Sequence, residues 1–290
     1  MSTRNLAYQY KTADIVLKLI AINTIIFLLV TLISFFLGLK AGLLTSWFVL
    51  PAEFSEFILQ PWSFLTYSFL HFDFWHLFWN MIVLYWFGKF VLNLFSEKKF
   101  LAIYLLGALF GGILYVTAYN IFPVFNDQRG YLLGASAAVR AIMIFIAAYS
   151  PQTQVRIIFF NVKLWQIGLA VVLLDLIQLP NSGNAGGLLA HMGGALFGYI
   201  YAVQLAKGKD IGLWFEDLMD WFVDLFKPRK NKPFKKVHRT QQTPKRNTVS
   251  KADKTENQKK IDAILDKIGK SGYDSLSKAE KDFLFKAGNN

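Results

Sequence analysis

The chain predicts an all-α, polytopic membrane protein with six transmembrane helices, and three observations support that class. Hydrophobic residues make up 54% of the sequence, above the share usual in soluble domains. They concentrate in six stretches, about 14–37, 71–95, 100–120, 131–149, 163–179 and 186–206, each near the length a helix needs to cross a bilayer. Charge in the connectors alternates in sign: Arg4, Lys11, Lys98, Lys99, Arg156, Lys163 and the tail fall on one side. The other side holds Glu53, Glu56 and Asp127 with only Lys40 and Arg129. Lysine and arginine mark the cytoplasmic face, so both termini are expected there, in an integral, multi-pass protein of the plasma (inner) membrane.

Taken in order, the first stretch is longer than a signal-peptide core and lacks a small-residue cleavage site, so it reads as a retained helix. The loop from 38 to 70 contains Trp47, Phe48, Phe54, Phe57, Trp62 and Phe64 with few charges, the composition of a segment lying in the outer interface. In the second stretch His76 and Asn80 are four positions apart and share a helix face, while His71 stands at the membrane surface as a cap or anchor. Gly107 and Gly111 in the third have the GxxxG spacing of a packing contact. The fourth offers Gly134, Ala137, Ala138 and Ala141 as flat faces, and the sixth a stripe of Ala190, Gly194, Gly198 and Ala202. Close backbone approach of those two helices is therefore expected. Arg140 in the fourth stretch would cost about 2.5–3.5 kcal/mol if left in lipid, so it needs a partner. Asp175, the acidic residue well inside the fifth, is the candidate.

Ser136, in Leu133-Gly134-Ala135-Ser136, and His191, in Ala190-His191-Met192-Gly193-Gly194, each lie about five residues into their stretches. With both helices entering from the outer face, that offset puts a nucleophile and a base together roughly 8 Å below the surface. Imidazole is the side chain whose ordinary pKa suits proton shuttling near neutrality. A serine protease buried in lipid is the chemistry this pairing suggests.

From about Pro61 to Ala202 the sequence resembles the rhomboid intramembrane serine proteases. The resemblance runs through Pro61-Trp62-Ser63-Phe64-Leu65-Thr66-Tyr67, His71-x4-His76-Leu77-x2-Asn80-Met81, Gly107-Ala108-Leu109-Phe110-Gly111-Gly112, Gly134-Ala135-Ser136 and Ala190-His191-x-Gly193-Gly194. It implies a catalytic dyad in which Ser136 attacks the peptide carbonyl and His191 serves as base and then acid. It also implies that the oxyanion is held by the His76 and Asn80 side chains and the Ser136 backbone N–H. No metal and no cofactor is implied, and the substrates would be transmembrane proteins. Two positions depart from the family pattern: Ala137 follows the serine where a glycine is usual, and Arg140 stands one turn below it where relatives have an aromatic or apolar residue. Those departures keep a second expectation in view, a catalytically inactive rhomboid-like protein that binds membrane segments without cleavage. A transporter is disfavoured, because the polar residues cluster at one depth near the outer face.

The organisation predicted is therefore a protease domain over 1–206, an interfacial amphipathic helix over 207–226, a basic disordered linker over 227–255 and a small cytoplasmic helical hairpin over 256–290. In the second of these, Glu216, Asp217, Asp220 and Asp224 oppose Trp214, Met219, Trp221, Phe222 and Phe226. Residues 207–290 hold 20 Lys or Arg against 12 Asp or Glu, a balance suited to anionic lipid; nucleic acid is not expected. In the hairpin, Ile261, Ile264, Leu265 and Ile268 repeat at helical spacing, Gly269 and Gly272 mark a break, and Ser277-x-x-Glu280 is a capping-box signature. Its apolar stripe is small, which points to a cytoplasmic partner or the membrane as a docking surface. The absence of cysteine excludes disulfides, thiol nucleophiles and cysteine-based metal sites.

Overall fold

The structure is a computed structural model that describes residues 3–126, 128–157, 159–226 and 251–288. The chain divides into two units, Met1–Lys227 and Pro228–Asn290. The first begins with α1 (Thr3–Thr12) and α2 (Ile15–Phe36), followed by a loop containing α3 (Ala41–Thr45), β1 (Leu50–Pro51), α4 (Phe54–Leu59) and α5 (Ser63–Thr66). Then come α6 (Phe74–Leu92), α7 (Glu97–Ile121), β2 (Tyr131–Leu132), α8 (Ser136–Tyr149), β3 (Gln154–Ile157), β4 (Phe160–Lys163), α9 (Leu164–Gln178), α10 (Ala185–Ala206) and α11 (Leu213–Phe226). The molecule is mostly helical, and each of the six apolar stretches contains one helix. Among the described residues, α2, α7 and α10 are long and apolar enough to cross a membrane, while α8 and α9 are shorter apolar helices.

The small residues decide how the bundle packs. A Cβ placed on Gly194 would lie 2.1 Å from the Ala137 carbonyl oxygen, and one on Gly198 would lie 2.2 Å from that of Ala141. The backbones of α8 and α10 are thus in direct contact, which only glycine permits. Gly107 and Gly111 of α7 face the methyls of Ala141 and Ala137, at 2.3 and 2.6 Å from where their own Cβ atoms would be. The GxxxG spacing is a packing contact, as its pattern suggested, and α8 is enclosed by α7 and α10. Ten of its fourteen residues, from Ala137 through Ala147, are buried.

Two expectations need correction. The fold is not purely helical: β1 pairs antiparallel with β2, matching Leu50 with Leu132 and Pro51 with Tyr131, and β3 with β4 forms a hairpin between α8 and α9. The fourth helix also begins five residues later than its apolar stretch. Tyr131 and Leu132 are extended, and Gly134 has φ +126°, a backbone conformation that needs glycine and stops the helix from starting earlier. The Gly134 N–H donates to the Tyr67 carbonyl at 3.0 Å. Together with the β1–β2 pair, this bond ties the aromatic loop to the segment leading into Ser136.

After α10 the chain turns at Gly208, and Asp210 accepts from Tyr201 Oη at 2.7 Å and from the Gly212 N–H at 3.1 Å. Lys99, in the first turn of α7, pairs with Asp210 and with Glu216, the latter at 2.8 Å, and Lys98 pairs with Asp220 at 2.6 Å. The acidic side of α11 is therefore met by lysines of the bundle. Trp214, Leu218, Trp221, Phe222, Leu225 and Phe226 on the other side are exposed.

In the second unit, α12 (Lys251–Ser271) begins five residues before the hairpin predicted from 256, so 251–255 belongs to a helix and not to a linker. The rest of the linker, 227–250, lies outside the described residues. Gly269 does not break α12; Gly272, at φ +77°, does. α13 (Lys278–Gly288) opens with the capping box: the Ser277 N–H donates to Glu280 Oε2 at 2.7 Å, and Glu280 N–H to Ser277 Oγ at 3.4 Å. Among the described residues of this unit, Ile264 and Leu276 are the buried apolar side chains.

Candidate active site

Ser136, His191, His76 and Asn80 line one cavity of about 780 Å³, together with Arg140. Each is positioned by a local feature. Ser136 is the first residue of α8, so the N–H groups of that turn have no intrahelical acceptors, and the positive end of the helix dipole faces the cavity. His191 is the seventh residue of α10. The equal offset of about five residues is thus corrected: the serine sits at a helix start, because Gly134 delays it, and the histidine nearly two turns inside another. The cavity unites them all the same.

His76 lies in the first turn of α6, where Asp73 is the N-cap and accepts the His76 N–H at 2.9 Å. The capping role expected of His71 belongs to Asp73. His71 is instead buried, edge-on to the His76 ring with centroids 5.1 Å apart. The Phe72 N–H approaches His76 Nδ1 at 3.4 Å, which assigns the ring proton to Nε2. That nitrogen is aimed at Gly134: a Cβ there would lie 2.7 Å from His76 Nε2 and 3.7 Å from Ser136 Oγ. Asn80 Nδ2 donates one hydrogen to the His76 carbonyl at 2.8 Å, and an amide has a second to offer.

Arg140 is paired with Asp175, as their inferred proximity required. Arg140 Nε donates to Asp175 Oδ2 at 2.9 Å and Nη2 donates to Oδ1 at 3.1 Å, a side-on bidentate pair between α8 and α9. The carboxylate has a further neighbour that sequence reasoning missed. Asp175 Oδ2 lies 3.2 Å from His191 Nδ1, at ion-pair distance but without the alignment of a full hydrogen bond. Spacing on one helix cannot reveal this contact, because it joins the fifth apolar stretch to the sixth.

Ala137 also finds its place. Its methyl faces Gly111 and its carbonyl faces Gly194, so the extra carbon relative to the family pattern occupies room left by a glycine on α7. Among the described residues, no three His, Cys, Asp or Glu side chains group as metal ligands.

The chain matches a family model described as Rhomboid domain over residues 59–208, and a family of unknown function (DUF6576) over 249–286. It is similar to RHOMBOID-like protein 12, mitochondrial, of Arabidopsis thaliana, at 28% identity over 59% of this chain and 57% of that protein. It is 30% identical to presenilin-associated rhomboid-like protein, mitochondrial, of Homo sapiens over 51% of this chain and 38% of that one. Rhomboid protein 1, mitochondrial, of Saccharomyces cerevisiae is 24% identical over 52% of this chain and 44% of its own. The chain thus spans between 38% and 57% of the length of these relatives.

Proposed function

The chain belongs to the rhomboid family, and from that premise we propose that it is an intramembrane serine endopeptidase that hydrolyses peptide bonds in or near transmembrane segments of other membrane proteins. In this reading α2, α6, α7, α8, α9 and α10 all cross the bilayer with both termini cytoplasmic. The three relatives are named as mitochondrial, which weighs against the expectation of a plasma membrane.

The observation that supports the reading best is the lining of one cavity by Ser136 and His191 with His76 and Asn80. Ser136 Oγ attacks the peptide carbonyl while His191 Nε2 accepts its proton. The oxyanion meets the N–H groups at the start of α8, His76 Nε2–H and the free amide hydrogen of Asn80. His191 then protonates the leaving amine as the acyl-enzyme forms, and the same nitrogen activates the water that hydrolyses it. The alternative of a silent binder drew on Ala137 and Arg140. Neither obstructs the cavity chemically: Ala137 packs against glycines and Arg140 is neutralised by Asp175.

The reading extends to α11, which we place in the cytoplasmic interface. Its acidic side satisfies Lys98 and Lys99, and its exposed aromatic side suits the boundary between headgroups and acyl chains. The test of the central claim is labelling by a serine-directed fluorophosphonate together with cleavage of a helix-destabilised transmembrane substrate. Ser136→Ala and His191→Ala should each abolish cleavage in a folded protein, and Ser136→Ala should also abolish labelling. Retained cleavage in Ser136→Ala eliminates the protease reading.

A further inference from the structure

Resting on that reading, we propose that Asp175 is a positioning residue for His191, and that its place on α9 makes the base ready for catalysis only while α9 is seated against α8 and α10. The first half follows from how one carboxylate is shared. Arg140 takes Oδ1 and one side of Oδ2, at 3.1 and 2.9 Å, leaving the second lone-pair side of Oδ2 toward His191 Nδ1 at 3.2 Å. A neutral imidazole has two tautomers, and only the one protonated at Nδ1 keeps a lone pair on Nε2 to receive the serine proton. A carboxylate beside Nδ1 selects that tautomer and stabilises the imidazolium formed when Ser136 attacks. A small ring rotation turns the present close approach into a hydrogen bond. Arg140 holds the carboxylate through both of its oxygens and so prevents it from turning toward the cavity.

The second half follows from how α9 is held. Its buried residues are Leu164, Gly168 and Asp175. The first two lie in its opening turns, with Gly168 against Ala147 and Ile144 of α8. From Leu169 to Gln178, Asp175 is the buried residue, while Leu169, Leu173, Leu174, Leu176 and Ile177 are exposed. The half of α9 from Leu169 onward is thus fastened by the Arg140–Asp175–His191 contact together with the partly buried Val171, which packs against the core. Any displacement of α9 from α8 and α10 withdraws the carboxylate from His191, and reseating α9 restores it. The seating of α9 and the activation of the base are coupled by one side chain.

The test uses the full chain in lipid vesicles, with the fluorophosphonate labelling rate as a measure of Ser136 reactivity and kcat and KM measured separately for a transmembrane substrate. Asp175→Asn should slow labelling and lower kcat by about 10²-fold or more, as loss of a tautomer-fixing carboxylate does, with KM changed less than about threefold. Asp175→Glu should recover part of the rate. Arg140→Met should also slow labelling, and Arg140→Met with Asp175→Asn should be no slower than Asp175→Asn alone, because both act through the same contact. ¹⁵N spectra of the parent should show His191 protonated at Nδ1; with four histidines in the chain the signal is assignable by single substitutions. Labelling and kcat at parent levels in folded Asp175→Asn, or an Nε2-protonated His191, would overturn the proposal while loss of labelling in Ser136→Ala leaves the protease reading standing. Labelling that survives Ser136→Ala would instead remove the reading on which the proposal rests.

Discussion

At Asn80 the side chain has only one hydrogen to spare for chemistry, because the other is bound to the His76 carbonyl. That bond fixes the amide on the cavity wall without removing it from the packing of α6. Asn80→Ala should therefore slow substrate cleavage by about one to three orders of magnitude, the range expected for one oxyanion donor among several. Fluorophosphonate labelling should persist, since the nucleophile and base are untouched. An unchanged cleavage rate would assign Asn80 to packing alone. Residues of this kind were legible in the sequence because they repeat along one helix: His76 and Asn80 share a face by spacing, and so do Ser136 and Arg140. Asp73, Gly134 and the approach of Asp175 to His191 were not. The first is a cap whose effect is local to a turn, the second depends on a backbone angle, and the third joins residues from two separate helices.

Among the elements, the interface of α8 with α10 governs whether the site exists at all, since it sets how near the serine helix comes to the histidine helix. The methyl group of Gly194→Ala would begin 2.1 Å from the Ala137 carbonyl oxygen, so the two helices must part. Overpacking of a well-filled interior typically costs about 1–3 kcal/mol, and here the opposing atom is backbone, which cannot rotate away. Gly194→Ala should lower the thermal midpoint in detergent and strongly reduce labelling of Ser136. Gly42→Ala, where a Cβ meets nothing within 4 Å, is the matched control and should change neither. Equal behaviour of the two variants would show that the glycine stripe is incidental. The stripe itself was readable from spacing, and so were the six helices, because apolar length and small-residue periodicity are properties of single segments. The short β1–β2 pair was hidden: two residues on each side, more than seventy positions apart, leave no periodic signal. The β3–β4 hairpin did leave one, since Gln154-Val155-Arg156 alternates polar and apolar, but it is short and borders a helix.

On the scale of the whole molecule, the chain joins an apolar unit to a charged one, and the two answer to different forces. Burial of close-packed helices stabilises the first, whereas the second rests on the burial of Ile264 and Leu276 and on polar bonds at its surface. Glu280 gathers several of those bonds. Its carboxylate accepts from the Ser277 N–H at 2.7 Å and from Lys267 Nζ at 3.0 Å, linking the start of α13 to α12. The Ser277 backbone bond first, and then Lys267, hold its pKa down to about 2 from an ordinary 4.5. A carboxylate with a depressed folded pKa stabilises the fold fully above its unfolded value and ceases to do so as pH falls through the folded one. The contribution should thus be complete above about pH 4.5 and disappear toward pH 2. On acidification of the full chain, the protection of the amides at Ser277 and in the first turn of α13, measured relative to their intrinsic exchange rate at each pH, should fall across that window. Glu280→Gln should show lower protection already at neutral pH and no further loss of protection between pH 4.5 and 2 at those amides. A parent protein whose Ser277 amide is indifferent to that interval would mean that the capping box and its lysine do not hold the hairpin together.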